Sequence, residues 1–323
     1  MRSIRSSSIL LLVLFSCLSA APLLADSRIE KELSLAPGGR LALDTDSGSV
    51  EVVGRSGSGV RVVVTSTKSD IEEHFDLTFE ERAGEVLIEA KKKGSGISSW
   101  FNWGGKGSLR YEIEVPRETS IDIDTSGGSI EVEAVHGDAR LDTSGGAISV
   151  HDLGGELVAD TSGGSISIDT VDGDVNADTS GGSIRISDVN GNVRADTSGG
   201  SIQISGVSGD LEADTSGGSI RISDAGGEVV ADTSGGSVEV SFVPGNDRGG
   251  SISASGGGIR VALDPGVGLE IDAQASGGSV TSDVPVTIRG KASKSTLRGQ
   301  IGAGGARLKL RSSGGPIRIS SST

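Results

Sequence analysis

Large side chains are scarce in this sequence: its 323 residues include eight aromatics, one methionine and one cysteine, beside 52 glycines. A conventional globular core of that size uses many more large apolar residues, so the sequence does not predict one. Hydrophobic residues still make up 34% of the chain, which argues against disorder. They are mostly valine and isoleucine, whose branched side chains suit thin layers between β-sheets.

The only cysteine, Cys17, lies in an N-terminal segment that predicts export. Residues 1–25 combine Arg2 and Arg5 with a short apolar stretch from Ile9 to Phe15, which is typical of a signal peptide and too short for a membrane span. The residues leading to Cys17 also resemble a lipoprotein cleavage site, so a lipoprotein anchored at Cys17 is the alternative. In both cases we expect no disulfide and no transmembrane span in the mature chain, and a location in the periplasm or outside the cell.

Basic residues are also in short supply, since 29 of them face 44 acidic residues and the net charge is −15. Removing residues 1–25, which hold two arginines and no acid, brings the net charge to −17. Such a surface is a poor partner for nucleic acid or for an anionic membrane. A cation or a basic partner fits this average charge better.

What the sequence does contain is a strict repeat. The segment Asp-Thr-Ser-Gly-Gly recurs every 18 residues without an insertion, and self-similarity of this kind indicates a stacked array. Its seven copies begin at Asp124, Asp142, Asp160, Asp178, Asp196, Asp214 and Asp232.

One copy shows how a coil can form. Val175 to Thr179 and Ser183 to Ser187 alternate apolar and polar residues, which is the period of a half-buried strand. Between them, Gly181 and Gly182 are expected to supply backbone angles that a Cβ would forbid. Val189 is expected to fill the corner of the second turn. The equivalent corner residues of the other copies are Val135, Leu153, Val171, Val207, Ala225 and Val243.

The sequence therefore predicts an all-β chain, a parallel β-solenoid (right-handed β-helix) with 18-residue, two-strand coils that lie directly over one another in chain order. We expect a signal peptide over 1–25, an irregular N-terminal β region and cap over 26–120, regular coils over 121–243, and degenerate repeats with a C-terminal cap over 244–323. The strands expected in the N-terminal region are Val60 to Thr65, Phe75 to Phe79, Val86 to Ala90 and Tyr111 to Val115.

The Asp-Thr-Ser-Gly-Gly-Ser-Ile copies resemble a bacterial β-strand-repeat family of unknown function whose members are called putative adhesins. Pro37-Gly38-Gly39 near the start and Ser313-Gly314-Gly315-Pro316-Ile317 near the end share this resemblance. It covers nearly all of residues 26–323. It implies the repeat fold and a role in adhesion, and it brings no catalytic motif.

The aspartates of the seven copies are the first candidate site. By strand alternation they point outward and stack at strand spacing, where neighbouring carboxylates repel by about 0.9 kcal/mol in water. One interpretation is a cation-binding column. The other is turn chemistry, in which each Asp accepts amide hydrogens from the Thr-Ser-Gly-Gly turn that follows it. The nonapeptide calcium repeat is not matched, because Ile184 and Ile186 stand at its diagnostic positions.

The second candidate site is the aromatic cluster of Trp100, Phe101 and Trp103, which follows three lysines and is surrounded by glycines. An amphipathic loop of this kind suits contact with a sugar, a lipid headgroup or a protein partner. The alternative is that it folds down as a lid over one end of the solenoid.

Catalytic groups are not evident. His74, His136 and His151 are scattered, and we find no Ser/His/Asp order and no metal-ligand spacing. The copies leave no room for the long loops from which helical polysaccharide lyases build clefts. We therefore predict no enzymatic activity, no cofactor and no metal, and a role in adhesion or cell-envelope interaction with a surface glycan or an envelope protein. A structural or regulatory scaffold that binds an envelope protein is the alternative, and a carbohydrate-active enzyme is less favoured.

Overall fold

The computed structural model describes residues 27–66, 70–93, 108–264, 266–289 and 292–322. Within these ranges the regular structure is almost entirely β, and the single helix, α1, is one turn at Ile71–His74. The strands form one sheet of 14 and one of 15, in which most neighbours are parallel. With strands about 4.8 Å apart, each sheet extends about 60 Å. The expected all-β architecture with two parallel sheets is confirmed.

The repeat forms strands β8 to β21, and each coil contributes one strand to each sheet. Neighbouring strands in a sheet are offset by 18 residues, so that Asp178 pairs with Asp160 and with Asp196. We call the 15-stranded sheet, which carries the repeat aspartates, the Asp sheet, and the 14-stranded one the Ile sheet. The Asp-sheet strands are β8 Ser120–Thr125, β10 Ala139–Thr143, β12 Leu157–Thr161, β14 Val175–Thr179, β16 Val193–Thr197, β18 Leu211–Thr215 and β20 Val229–Thr233. The Ile-sheet strands are β9 Ile130–Val135, β11 Ile148–Leu153, β13 Ile166–Val171, β15 Ile184–Val189, β17 Ile202–Val207, β19 Ile220–Ala225 and β21 Val238–Phe242.

The core lies between the two sheets and follows the alternation expected from the sequence. In the coil of β14 and β15, five aliphatic side chains are at least 97% buried: those of Val175, Ala177, Ile184, Ile186 and Val189. Burying an aliphatic side chain of this size stabilises a fold by about 1.5–3 kcal/mol, less for alanine. Because the same positions are buried in each neighbouring coil, every coil packs on copies of itself.

The glycine pairs of the repeat do not adopt unusual backbone angles, so that expectation is wrong. Positive φ values occur instead just before the corner residue, at the same position of six coils. Five of these six residues are not glycine: they are Ala134, Asp152, Thr170, Asp188 and Asp224, with Gly206 the sixth. The left-handed residue shifts the alternation of the second strand by one residue, so that the corner side chain points inward.

The second glycine of each pair is required by the close approach of coils. A Cβ placed on Gly182 would lie 1.9 Å from the carbonyl oxygen of Gly164 in the preceding coil. Atoms of the backbone cannot move aside as a flexible side chain can. Consecutive coils therefore touch, backbone to backbone, at this turn.

The corner predicted for Val243 is occupied by Phe242, which corrects the sequence interpretation. Phe242 pairs with Ala225 and is buried, after a register shift that follows Ile222. The coil that ends in β21 has no left-handed residue before its corner, so the chain reaches the corner one residue earlier. The large Phe242 side chain then packs beside the small corner residue Ala225.

The N-terminal region adds an outer coil and three antiparallel strands. Strands β2 and β3 continue the repeat, because Asp44 pairs with Asp124 and Val50 with Ile130. Strands β6 and β7 lie on their outer side. The four strands expected in this region are confirmed as β4 to β7. The bounds are β1 Ser27–Leu33, β2 Arg40–Thr45, β3 Ser49–Arg55, β4 Val60–Ser66, β5 Phe75–Arg82, β6 Glu85–Lys92 and β7 Leu109–Pro116.

The C-terminal coils are not stacked in chain order, which the sequence interpretation did not foresee. Strand β28 lies between β22 and β24, and β29 lies between β23 and β25. The last coil of the chain is thus inserted between two earlier ones. The bounds are β22 Gly250–Ala254, β23 Ile259–Leu263, β24 Leu269–Ala275, β25 Val280–Ser282, β26 Thr287–Ile288, β27 Thr296–Ile301, β28 Ala306–Ser312 and β29 Ile317–Ser321.

Both ends of the stack follow the same plan. The coil of β2 and β3 lies between two others, as does the coil of β28 and β29. The outermost positions are left to strands β1, β5, β25 and β26. The first two carry many charges and the last two are three residues or shorter, and both features discourage another chain from pairing with an open sheet edge.

Candidate functional site

The repeat aspartates form one continuous column on the outer face of the Asp sheet. Each pairs in register with its equivalent in the next coil, and the column begins one coil earlier than the sequence indicated, at Asp44. Its members are Asp44, Asp124, Asp142, Asp160, Asp178, Asp196, Asp214 and Asp232. The sequence prediction did not include Asp44 in the column because residues 51–119 separate it from the uninterrupted copies. At the far end the column continues through Ser253 to Arg311.

The aspartate column is electrostatically unfavourable. Partial burial, and then the neighbouring carboxylates, raise the pKa of Asp124, Asp160, Asp178 and Asp214 above the usual value. Asp44 has a cationic partner, because Nζ of Lys91 lies 2.5 Å from its Oδ1. In the part of the chain that the structure describes, the other seven members of the column accept no hydrogen bond and form no ion pair. The folded state therefore disfavours the ionised form of the four aspartates whose pKa is raised.

The turn amides bind threonine, so the interpretation of the aspartates as turn acceptors is wrong. The Gly182 amide donates to Oγ1 of Thr179 at 3.3 Å, and the Thr179 hydroxyl donates to the Gly164 carbonyl at 2.9 Å. Alternation directs Thr179 inward, toward the turn, whereas Asp178 points outward. The same pair of hydrogen bonds recurs at Thr143, Thr161, Thr197, Thr215 and Thr233.

The threonine column gives the repeat a side-chain link between coils. Each hydroxyl joins an amide of its own coil to a carbonyl of the coil before, and each threonine is almost fully buried. A buried hydrogen bond of this kind contributes about 0.5–1.5 kcal/mol. This contribution is of the same size as the repulsion between adjacent aspartates, which it offsets.

Metal binding by the aspartate column stays a prediction. Among the described residues, no three His, Cys, Asp or Glu side chains are grouped as ligands for one ion. The carboxylates stand in single file, about one strand spacing apart. A divalent cation at any point along the column would meet carboxylates from two coils.

The aromatic site of Trp100, Phe101 and Trp103 lies outside the described residues, and its role as a contact site or lid stays a prediction. The strands on either side of it are β6, in the Asp sheet, and β7, in the Ile sheet. Nζ of Lys93, the last described residue before this segment in the sequence, lies 3.0 Å from Oδ1 of Asp76.

A broad depression of about 1080 Å³ lies at the N-terminal turns. Three separate turns line it, between β1 and β2, β3 and β4, and β5 and β6, together with the end of β7. Its charged groups are partly paired: Arg55 lies 3.6 Å from Glu114, and the Ser34 amide donates to Glu81 at 3.1 Å. Sequence reasoning missed this depression because no single motif builds it.

A smaller groove of about 380 Å³ follows the second turn of the central coils, which leads into each Asp-sheet strand. Val230 is 41% exposed at its rim. Along the groove, side-chain oxygens accept amides from the next coil, as in the bonds from Asn192 to Asp174 at 2.7 Å and from Asp210 to Asn192 at 2.9 Å. This second side-chain column is the counterpart of the threonine column at the opposite turn.

The described residues do not assemble a catalytic group. Nδ1 of His151 lies 3.6 Å from Asp169 on an exposed face, whereas His74 and His136 are elsewhere. Turns between β8 and β21 have three or four residues, too few to wall a cleft. Searched over the same ranges, the chain contains no helix that is long and apolar enough to cross a membrane.

Comparisons with solved structures return distant likenesses. A putative adhesin from Bacteroides fragilis NCTC 9343 shares 10% identity over 92% of this chain and 98% of its own, with a TM-score of 0.39. A putative cell adhesion protein from Clostridium sporogenes ATCC 15579 shares 12% identity over 92% and 100%, with a TM-score of 0.25. A putative lipid binding protein from Parabacteroides distasonis ATCC 8503 shares 12% identity over 92% and 97%, with a TM-score of 0.31.

These values are too low to transfer a function, and no curated protein matches the chain. The family comparison covers far more than half of the sequence. Residues 40–320 match the Toastrack DUF4097 family, so the chain belongs to that family.

Proposed function

We propose that the chain is an exported right-handed β-solenoid that acts in adhesion or another contact of the cell envelope, without enzymatic activity. A signal peptide over 1–25 and caps over 26–120 and 244–323 are part of this proposal. The observation that carries it is the outer surface of β8 to β21, where polar side chains stand in register and only short turns join the strands.

A surface of this kind suits a periodic ligand. It presents equivalent groups about every 4.8 Å, so a polymer such as a surface glycan can engage several coils at once. A small substrate, in contrast, needs a cleft that buries most of its surface. The predicted contact loop of Trp100, Phe101 and Trp103 would add aromatic side chains to the binding surface.

The proposal is tested by binding of the labelled mature chain to immobilised glycans and to whole cells. Trp103→Ala should abolish binding without changing the melting temperature. Val230→Ser, which removes an exposed apolar group far from that loop in sequence, serves as the matched control and should bind normally. If Val230→Ser alone reduces binding, the groove along the coils is the contact site instead.

Other outcomes identify the alternatives. If the Trp103→Ala variant has a lower melting temperature but still binds glycans or cells, the aromatic segment acts as a lid. Crosslinking in the native cell that captures one envelope protein, with no glycan or cell binding, supports the scaffold. Shortening of a glycan by the purified chain would contradict the non-enzymatic proposal.

A further inference from the structure

The charge of the molecule is divided along the stack. Residues 27–265 hold 40 acidic and 19 basic residues, a net charge of −21. Residues 266–323 hold three acidic and eight basic residues, a net charge of +5, and the last acid is Asp283. These later residues form the outermost strands at the C-terminal end of both sheets. Strand β22 in the Asp sheet and β23 in the Ile sheet are their inner neighbours. A strongly acidic body therefore ends in a basic surface.

Four basic side chains at this end lack, in the described part of the chain, the acidic partners that are common elsewhere. In the acidic body, ion pairs engage arginines such as Arg61 and Arg221. At the C-terminal end Arg289, Lys294, Lys309 and Arg318 are exposed and form no ion pair within the described ranges. We call these four residues, with Arg298 and Arg307, the basic end.

A buried carboxylate holds part of the basic end in place. Asp272 is 5% exposed and contacts three guanidinium groups, those of Arg298 at 3.4 Å, Arg311 at 2.9 Å, and Arg307. Burial alone would raise its pKa, but hydrogen bonds from Arg311 and Arg307 hold the pKa below the usual value. Three positive charges share one negative charge, and the side chains of Arg298 and Arg307 remain 60% exposed. The cluster is ordered and still carries excess positive charge.

Apolar side chains accompany these charges. Ile288, on the outermost strand of the Asp sheet, is 51% exposed, and Val286 and Leu297 nearby are only partly buried. Arg289 follows Ile288 directly, and its amide donates to the Arg298 carbonyl at 3.1 Å. Apolar groups that stand among lysines and arginines are typical of surfaces that bind at the headgroup level of a membrane.

We propose that the basic end binds an anionic phospholipid surface and that the acidic body points away from it. The four outermost strands of the Asp sheet span about 14 Å, which exceeds the Debye length of about 8 Å at physiological salt. The acidic body is therefore largely screened from a surface that the basic end touches. The net negative charge of the whole chain therefore does not prevent the basic end from binding an anionic membrane. This inference goes beyond the adhesive role proposed above and would hold equally for a scaffold.

The test is co-sedimentation of the mature chain with vesicles of phosphatidylcholine alone or mixed with phosphatidylglycerol. Binding is expected only with phosphatidylglycerol and should weaken as salt increases. Removing both charges in Lys294→Gln/Lys309→Gln should weaken binding about 25-fold, because one Lys or Arg near an anionic surface contributes about fivefold. Ile288→Ser should weaken it further, by a few-fold, if the apolar group enters the interface.

The matched control is Arg140→Gln/Arg185→Gln, which changes the net charge equally but lies on the acidic body, where these two side chains also form no described ion pair. It should bind as the native chain does. Equal losses in the two double variants, or no binding to phosphatidylglycerol at low salt, would overturn the proposal. So would self-association that depends on Lys294 and Lys309 without vesicle binding, since the acidic body of a second copy would then be the occupant. Circular dichroism spectra confirm that each variant is folded.

Discussion

Two adjacent glycines of one turn should respond oppositely to the same substitution. A Cβ on Gly182 would lie 1.9 Å from the Gly164 oxygen and 2.4 Å from its carbonyl carbon. On Gly181 the nearest atom would be 3.5 Å away, which is ordinary contact. Neither glycine has a positive φ, so alanine is not strained at either position by the backbone angle itself. The two positions differ only in the space that the neighbouring coil leaves.

The expected loss of stability in Gly182→Ala follows from the movement of the coils that the extra methyl group requires. To accept Gly182→Ala, the coils must separate by about 1 Å at this turn, which costs about 1–3 kcal/mol as overpacking. The same shift breaks the hydrogen bond from the Thr179 hydroxyl to the Gly164 carbonyl of the preceding coil, at about 1 kcal/mol. We expect a loss of about 2–4 kcal/mol in the free energy of unfolding. Gly181→Ala should be neutral or stabilise by about 0.4–1 kcal/mol, because alanine restricts the unfolded chain.

The assay is equilibrium unfolding in guanidinium followed by far-ultraviolet circular dichroism, with the midpoint compared between the two variants. Hydrogen exchange should place the loss of protection of Gly182→Ala in the coils on either side of this turn. Equal midpoints for the two variants would refute the argument that backbone contact between coils requires the second glycine.

Three further results are expected. Thr179→Val should cost about 2 kcal/mol in denaturant titrations, because a backbone amide and a carbonyl both lose a partner, and Thr179→Ser should cost less than half as much; equal costs would contradict this. Folding raises the pKa of Asp178, so the folded chain binds this proton more tightly than the unfolded chain does. Asp178→Asn should therefore stabilise the fold by less than about 1 kcal/mol at pH 7. Thermal melts should show that this gain vanishes toward pH 4, where the carboxylate becomes protonated in both states. Deleting 306–322 should expose 250–263 to hydrogen exchange while 142–197 stay protected; unchanged exchange at 250–263 would show that the inserted coil does not matter there.

The repeat made the centre of the fold predictable. Identical spacing at Asp160, Asp178 and Asp196 leaves one register in which every apolar residue faces inward, because a shift by one residue would reverse the faces. Parallel pairing, the buried positions and the outward aspartates followed from that. The same logic did not add Asp44 to the column, since residues 51–119 separate it from the uninterrupted copies.

The ends were less predictable because their contacts are not local in sequence. Nothing in residues 306–322 indicates that their coil inserts between two earlier ones, since each coil has similar apolar faces and would pack on any other. The N-terminal depression likewise depends on three turns and one strand end that only the fold brings together. The role of the glycines was misread for a related reason: contact between Gly182 and Gly164 is a property of the stack, whereas sequence reasoning considered one coil alone.

Strict register also explains why like charges line up on the Asp sheet. An outward residue of the repeat faces its own equivalent, so an aspartate in one coil requires an aspartate beside it for as long as the repeat is uninterrupted. The threonine hydrogen bonds offset the repulsion within one molecule. No such bond is available between molecules, so a second rod that approaches this sheet face to face meets a column of unneutralised carboxylates. Regular parallel sheets invite such stacking. The column therefore costs little stability, and we expect it to disfavour face-to-face association of this sheet with copies of itself.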